Sequence, residues 1–300
     1  MLSPTTNPPA ALAAPPIRAW RLPAATWLLA PGMLWMALFL VLPMLMMVYV
    51  SFWTQTTFTV EPQLTLESWV TFFTTPAYLD ALLTTVWLWL AVLLASLVIG
   101  YPVALYIGLF VRNKVIQTGL LVLCVIPFWT SFLIRILAWR PMLGSEGAVN
   151  LLLMKAGLIQ EPLQVLLYSP LSVVIGMTQI YVVFVVGPVA FMLSRIEPSL
   201  IEAARDLGAS TLTILRRIIL PLSMPGVAVG AIFVTIMVLG EFATASALSG
   251  RKVNMLGNII VTQVGSLKWA FASVVGVVLT ALTALVVAAL LKFAKLREEI

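Results

Sequence analysis

Few side chains in this sequence can do covalent or acid–base chemistry, and their types exclude more than they offer. Histidine is absent and Cys124 is the single cysteine, which removes zinc clusters, haem ligation, a Cys–His dyad and an internal disulfide. A nucleotide-cradling G-x-x-x-x-G-K-[ST] loop is also missing from the sequence. Two ionisable groups approach membrane depth, Glu241 and Arg135. An ionised carboxylate at the end of an uncharged stretch is costly unless it faces a wet cavity or a partner. A solute ammonium would be such a partner, and so would Arg135, Arg140 or Arg251. Arg135 could instead meet an anionic headgroup or a carboxylate. Trp129, Tyr181 and Phe242 could hold a cation against their ring faces, or serve as belt aromatics at the membrane boundary. These residues supply neither a catalytic constellation nor a metal-ligand set.

Long apolar segments must position them. Hydrophobic residues make up 62% of the 300 and charged residues 9%, against roughly 25% charged in a soluble domain. So large an apolar excess must face lipid. Uncharged windows run over 22–60, 81–111, 115–134, 162–194, 218–240 and 269–291. Each holds about 20 residues or more, which at ~1.5 Å per residue crosses a ~30 Å hydrocarbon core as a helix. Continuous blocks, rather than short alternating segments, argue against a β-barrel. The fold class read from this is an all-α membrane protein with six transmembrane helices, expected near 25–53, 82–109, 115–139, 167–193, 219–240 and 269–292. They occupy a domain over 23–300, behind a disordered Pro- and Ala-rich cytoplasmic leader at 1–22. Pro43, Pro102, Pro127 and Pro188 lie in or near spans and mark candidate kinks.

Charge placement sets an expected orientation. With the N-terminus inside, eleven of the 17 Lys and Arg residues fall in cytoplasmic segments and six outside, the asymmetry that governs insertion. Both termini are then cytoplasmic. The net charge of +6 is accounted for by topology, so nothing is left to support nucleic-acid binding. Outside, 54–80 reads as a polar and aromatic segment, and 141–166 as glycines around a short helix at 148–156 lying in the interface.

The most informative stretch is the loop 195–225, RIEPSLIEAARDLGASTLTILRRIILPLSMP. Ser199 and Glu202 have capping-box spacing, so a helix is expected to start near Ser199. Ala203 and Ala204 add little bulk, so another protein surface can approach there. Gly208 stops the helix through a left-handed turn. Ser210 then caps a second helix through Thr211 to Leu220, closed by Pro221. The result is a two-helix elbow outside the membrane.

With Glu202, Ala203, Ala204, Gly208, Leu220 and Pro221 in this spacing, the loop resembles that of permeases of bacterial binding-protein-dependent ATP-binding-cassette importers. The stretch PFWTSFLIRILAWRPMLGSEGAVNLLL at 127–153, and GEFATASALSG with MLGN at 240–258, are similar to the spermidine/putrescine-type members. The likeness extends over roughly 25–294. It implies a MetI-like importer permease fold in the bacterial inner membrane. It also implies a coupling loop, 195–221, in which Glu202, Ala203, Ala204, Arg205, Asp206, Gly208, Ala209, Leu220 and Pro221 engage an ATPase subunit. Implied partners are a second, different permease, two ATP-binding-cassette ATPases carrying the ATP and Mg, a periplasmic or extracellular substrate-binding protein, and membrane lipid. The chain itself would be no enzyme and would hold no cofactor, and the implied solute is a small cation such as a polyamine, with Glu241, Phe242, Trp129, Tyr181 and Arg135 as candidates along its path. Gly187–Pro188 stands where Leu-Pro is usual, Glu241 where Asp is common, and Arg251 with Lys252 adds positive charge near the outer mouth. An ion-coupled secondary transporter or channel is the rival class, although no inverted pair of broken helices is visible.

Overall fold

A computed structural model describes residues 22–56, 59–250 and 252–298. The expected leader, apart from Leu22, lies outside the described residues, as does Arg251. Four helices are long and apolar enough to cross a membrane: Leu29–Val50, Pro76–Phe110, Thr211–Leu239 and Trp269–Lys292. Two further crossings are bent pairs, Lys114–Trp129 with Phe132–Lys155 at 90° and Pro170–Tyr181 with Val183–Leu193 at 42°. Taking each bent pair as one span makes six, numbered here in chain order. The chain divides into two compact units, 1–46 and 47–300. The described part of the first is helical, with Trp35 and Phe39 at 4.3 Å between ring centroids; everything below concerns the second.

The third span departs from the single helix expected over 115–139. Asn113 caps its first arm by accepting from the Val115 amide at 2.9 Å. Pro127 then sits in a tight turn, Ile126–Trp129, and Thr130 is extended. The carbonyl of Pro127 accepts from both the amide and the hydroxyl of Thr130, so the break is satisfied locally and the second arm departs at 90°. The helix expected at 148–156 forms as Ala148–Lys155. Asn150, fully buried, ties its start to the connector by bonding the Gly144 carbonyl and the Leu163 amide.

Within the all-α fold, the segment read as polar and aromatic after the first span holds a small hairpin, β1 (Trp53–Gln55) and β2 (Val60–Leu64), paired antiparallel. Gln55 accepts from the Ala270 amide at 3.1 Å, so the hairpin caps the start of the sixth span, a contact no local pattern announces.

The fourth and fifth spans make the most extensive helix packing, with the second span closing the group. Small residues allow it. A Cβ on Gly226 would lie 2.7 Å from the Pro188 carbonyl oxygen, and one on Gly230 3.0 Å from that of Phe184, so the two backbones meet where only glycine fits. Polar rungs join the second and fifth spans: Trp89 Nε1 donates to Thr235 Oγ1 at 2.9 Å, and Tyr101 and Ser223 share a hydroxyl bond at 2.9 Å.

Candidate functional site

The elbow is built around Pro198–Asp206 and the helix that begins at Thr211. Glu197, not Ser199, occupies the N-cap, with Pro198 in the first helical position. The expected capping box is therefore absent: Ser199 lies inside the first turn and its Oγ faces Glu197 Oε2 at 3.4 Å. The other end closes through Gly208, whose φ is +80°. Its amide bonds the Arg205 carbonyl at 2.8 Å, and the Ala209 amide bonds that of Ala204 at 3.0 Å, the double closure of a Schellman turn. Ser210 accepts from the Thr213 amide at 3.3 Å and starts the next helix.

That next helix does not end at Pro221, as the sequence reading expected. It runs unbroken from Thr211 to Leu239. A π turn over Leu215–Ile219, closed by the Leu220 amide on the Leu215 carbonyl, precedes the proline. The wider turn displaces the backbone carbonyls that the proline ring would otherwise strike, so the helix continues.

One side of Pro198–Asp206 packs inward through Ile201 and Ala204, helped by Ala209 beyond the turn. Glu202, Ala203, Arg205 and Asp206 are exposed. So are Leu200 at 46% and Leu207 at 88%. Leu200, Ala203 and Leu207 recur at i, i+3 and i+7, which places them on one outward face. Sequence reasoning missed the two leucines, although this spacing was there to be read.

The second cluster forms where the fifth span ends. Glu241, 6% exposed, follows Gly240. One carboxylate oxygen accepts from the Tyr181 hydroxyl at 2.5 Å and the other from the Thr244 amide at 2.9 Å. Both carboxyl oxygens are thus engaged as acceptors. Tyr181 is the last residue before the 42° bend of the fourth span, so this bond joins the bend to the end of the fifth. Neither Arg135 nor Arg140 is hydrogen-bonded to Glu241. Arg140 donates to the Ala247 carbonyl at 2.9 Å, and Arg135 lies over the Phe128 ring at 4.8 Å, its Nε and Nη1 buried without a hydrogen-bond partner among the described residues. Trp129 is 78% exposed and is not brought to Glu241. Phe128, Phe184 and Phe233 form the ring cluster instead, with Phe184 at 5.4 Å from Phe128, 5.7 Å from Phe233 and 6.5 Å from Tyr181. Phe242 is 42% exposed and its carbonyl accepts from Asn258.

Residues 96–297 match the family described as the inner membrane component of binding-protein-dependent transport systems. The chain belongs to that family. It is the permease subunit of a binding-protein-dependent ATP-binding-cassette importer, an inner-membrane component; its relatives are permeases, with ATP hydrolysis in a separate subunit. It is 35% identical to the spermidine/putrescine transport system permease PotB of Escherichia coli K12 over 248 residues, 82% of this chain and 89% of that one. It is 34% identical to the PotB of Haemophilus influenzae over 259 residues, 84% and 88% of the two chains. The fold superposes with a TM-score of 0.70, at 21% identity, on a bacterial alginate ABC transporter solved in complex with an alginate-pentasaccharide-bound periplasmic protein, covering 92% of this chain and 96% of that one. In this permease the elbow and the buried acid stand at opposite ends of one helix, Thr211–Leu239.

Proposed function

We propose that this permease carries a small organic cation of the polyamine class, that 195–221 faces the cytoplasm as the coupling loop, and that a second, different permease completes the path. The observation that carries the reading is the unbroken helix from the elbow to the threshold of Glu241. Its 29 residues span about 43 Å at the α-helical rise. The Leu200–Ala203–Leu207 face, flanked by Glu202 and Asp206, suits an apolar groove with a cationic rim on an ATPase subunit. ATP binding on paired ATPases, which hold the ATP and Mg, draws the two coupling helices together. The Thr211–Leu239 helix then re-angles about its π turn and moves its far end, where the Tyr181–Glu241 bond ties it to the bend of the fourth span.

An ionised Glu241 attracts an ammonium group, and the neighbouring rings add a cation-binding face. Arg135 opposes that attraction, which keeps the stop shallow enough for the solute to leave. Delivery falls to a soluble substrate-binding protein on the outer side. The names of the PotB relatives support the polyamine class.

The test is ATP-driven uptake of labelled spermidine in liposomes holding the permease pair and its ATPases. Glu202→Lys should leave insertion intact and abolish uptake, and full uptake by that variant removes the coupling assignment. Uptake by the permease alone, without an ATPase, establishes the ion-coupled carrier instead.

A further inference from the structure

A cavity of about 800 Å³ opens between the end of the second span, the start of the third, and the elbow. Its wall divides by chemistry. Leu105, Leu109, Ile214 and Ile219 form an apolar floor; Arg112, Lys114 and Arg205 stand at the rim, with Glu202 as the single carboxylate in the lining. Lys114 is held there. Its Nζ donates to Gln117 Oε1 at 3.2 Å, while Gln117, itself 7% exposed, donates to the Ile107 carbonyl at 2.8 Å. Arg112 and Arg205 make no side-chain hydrogen bond among the described residues and are exposed.

We infer that this cavity binds an acidic phospholipid, its phosphate on Arg112, Lys114 and Arg205 and the upper part of an acyl chain on the leucine and isoleucine floor. Three cations against one carboxylate select an anion. The floor selects the source. A free anion would leave the part-exposed Leu105 and Leu109 in water above the buried Ile214 and Ile219, whereas a lipid covers them with its chain. The site lies where two apolar spans give way to polar turns, which is the depth of a headgroup. Arg205 belongs to the elbow and Arg112 to the turn between spans two and three, so a bound lipid braces the coupling helix against the body of the permease. The bracing role rests on the proposed coupling function; the binding does not.

Native mass spectrometry of the full permease purified with its partner subunits tests it, with phosphatidylglycerol and phosphatidylcholine as probes. Phosphatidylglycerol should be retained in preference to phosphatidylcholine. In Arg112→Gln with Lys114→Gln its half-saturation should rise about thirtyfold, as expected for two interfacial cations, with ATPase subunits still bound. The charge-conserving pair Arg112→Lys with Lys114→Arg should restore it. Equal retention of the two lipids, or wild-type retention in the glutamine variant, overturns the proposal. Displacement by excess inorganic phosphate assigns the rim to a soluble anion and overturns the lipid. Loss of the ATPase subunits with lipid retention unchanged makes the cavity part of a protein interface and overturns it too. Because lipid is read directly, a failure of the uptake assay leaves this result standing.

Discussion

At the scale of single residues, the two acceptor bonds of Glu241 separate charge from geometry. Glu241→Gln keeps the size and loses the charge, so uptake at low solute should fall about tenfold, equivalent to about 1.4 kcal/mol, with ATPase assembly unchanged. Wild-type uptake in that variant would return Glu241 to a purely structural role. Tyr181→Phe removes one donor from a buried carboxylate, which should cost about 1–3 kcal/mol, seen as a lower unfolding temperature in detergent. In a Glu241→Gln background the same change should cost less, because a neutral amide loses less when left short of a partner. At the core of the helix group, Trp89→Phe deletes the donor to Thr235. Interhelical bonds of this kind contribute only about 0.6 kcal/mol in membranes, so its thermal shift should be small beside that of Tyr181→Phe.

Helices and turns carry a second set of consequences. The Schellman closure at Gly208 places that residue at φ +80°, a region proline cannot enter and other residues enter only under strain. Gly208→Pro should therefore leave membrane insertion intact and abolish ATP-driven uptake, because the elbow loses its angle while the spans keep their apolar windows. Full uptake by Gly208→Pro would show that elbow geometry is irrelevant. Within the membrane, Gly226→Leu forces a side chain against the Pro188 carbonyl. Overpacking of that kind costs about 1–3 kcal/mol, and the purified protein should show it as a lowered midpoint of thermal unfolding. Ala substitution at Gly119, inside the helix Lys114–Val125 where nothing lies within 4 Å of an added Cβ, should not lower that midpoint and should raise it slightly through helix propensity.

For the molecule as a whole, orientation decides whether the elbow can be a coupling element. Ser199 is exposed, so Ser199→Cys in a Cys124→Ser background can be labelled from one side of the membrane. An impermeant maleimide should react in inverted vesicles and not in intact cells; the reverse pattern would place the elbow outside and end the coupling proposal. On the proposed reading, one helix joins a force-receiving end at the elbow to a path-lining end at Glu241. Thr211–Leu239 keeps its backbone bonds internal, as lipid requires, with interruptions at the π turn beside Pro221 and at Pro225.

The six apolar windows, the elbow and the stop at Gly208 were legible in the residues because each depends on composition or on one residue's backbone freedom. Lipid admits few alternatives to a helix for a long uncharged run, and glycine alone enters a left-handed turn without strain. Features that depend on which faces meet were not legible. Whereas the bend of the third span falls at Pro127, a candidate kink in the sequence, the hairpin tied to the sixth span through Gln55 and Tyr181 bonding Glu241 across 60 residues of sequence both need partners from distant segments. The same holds for Phe128, rather than Trp129, lying beneath Arg135: adjacent aromatics are equivalent in sequence until packing turns one inward. Local rules also misled at Ser199 and Pro221, since the cap moved by two residues, to Glu197, and a π turn absorbed a proline. Composition and local backbone preference thus set what the segments are, and tertiary packing decided which polar groups found one another.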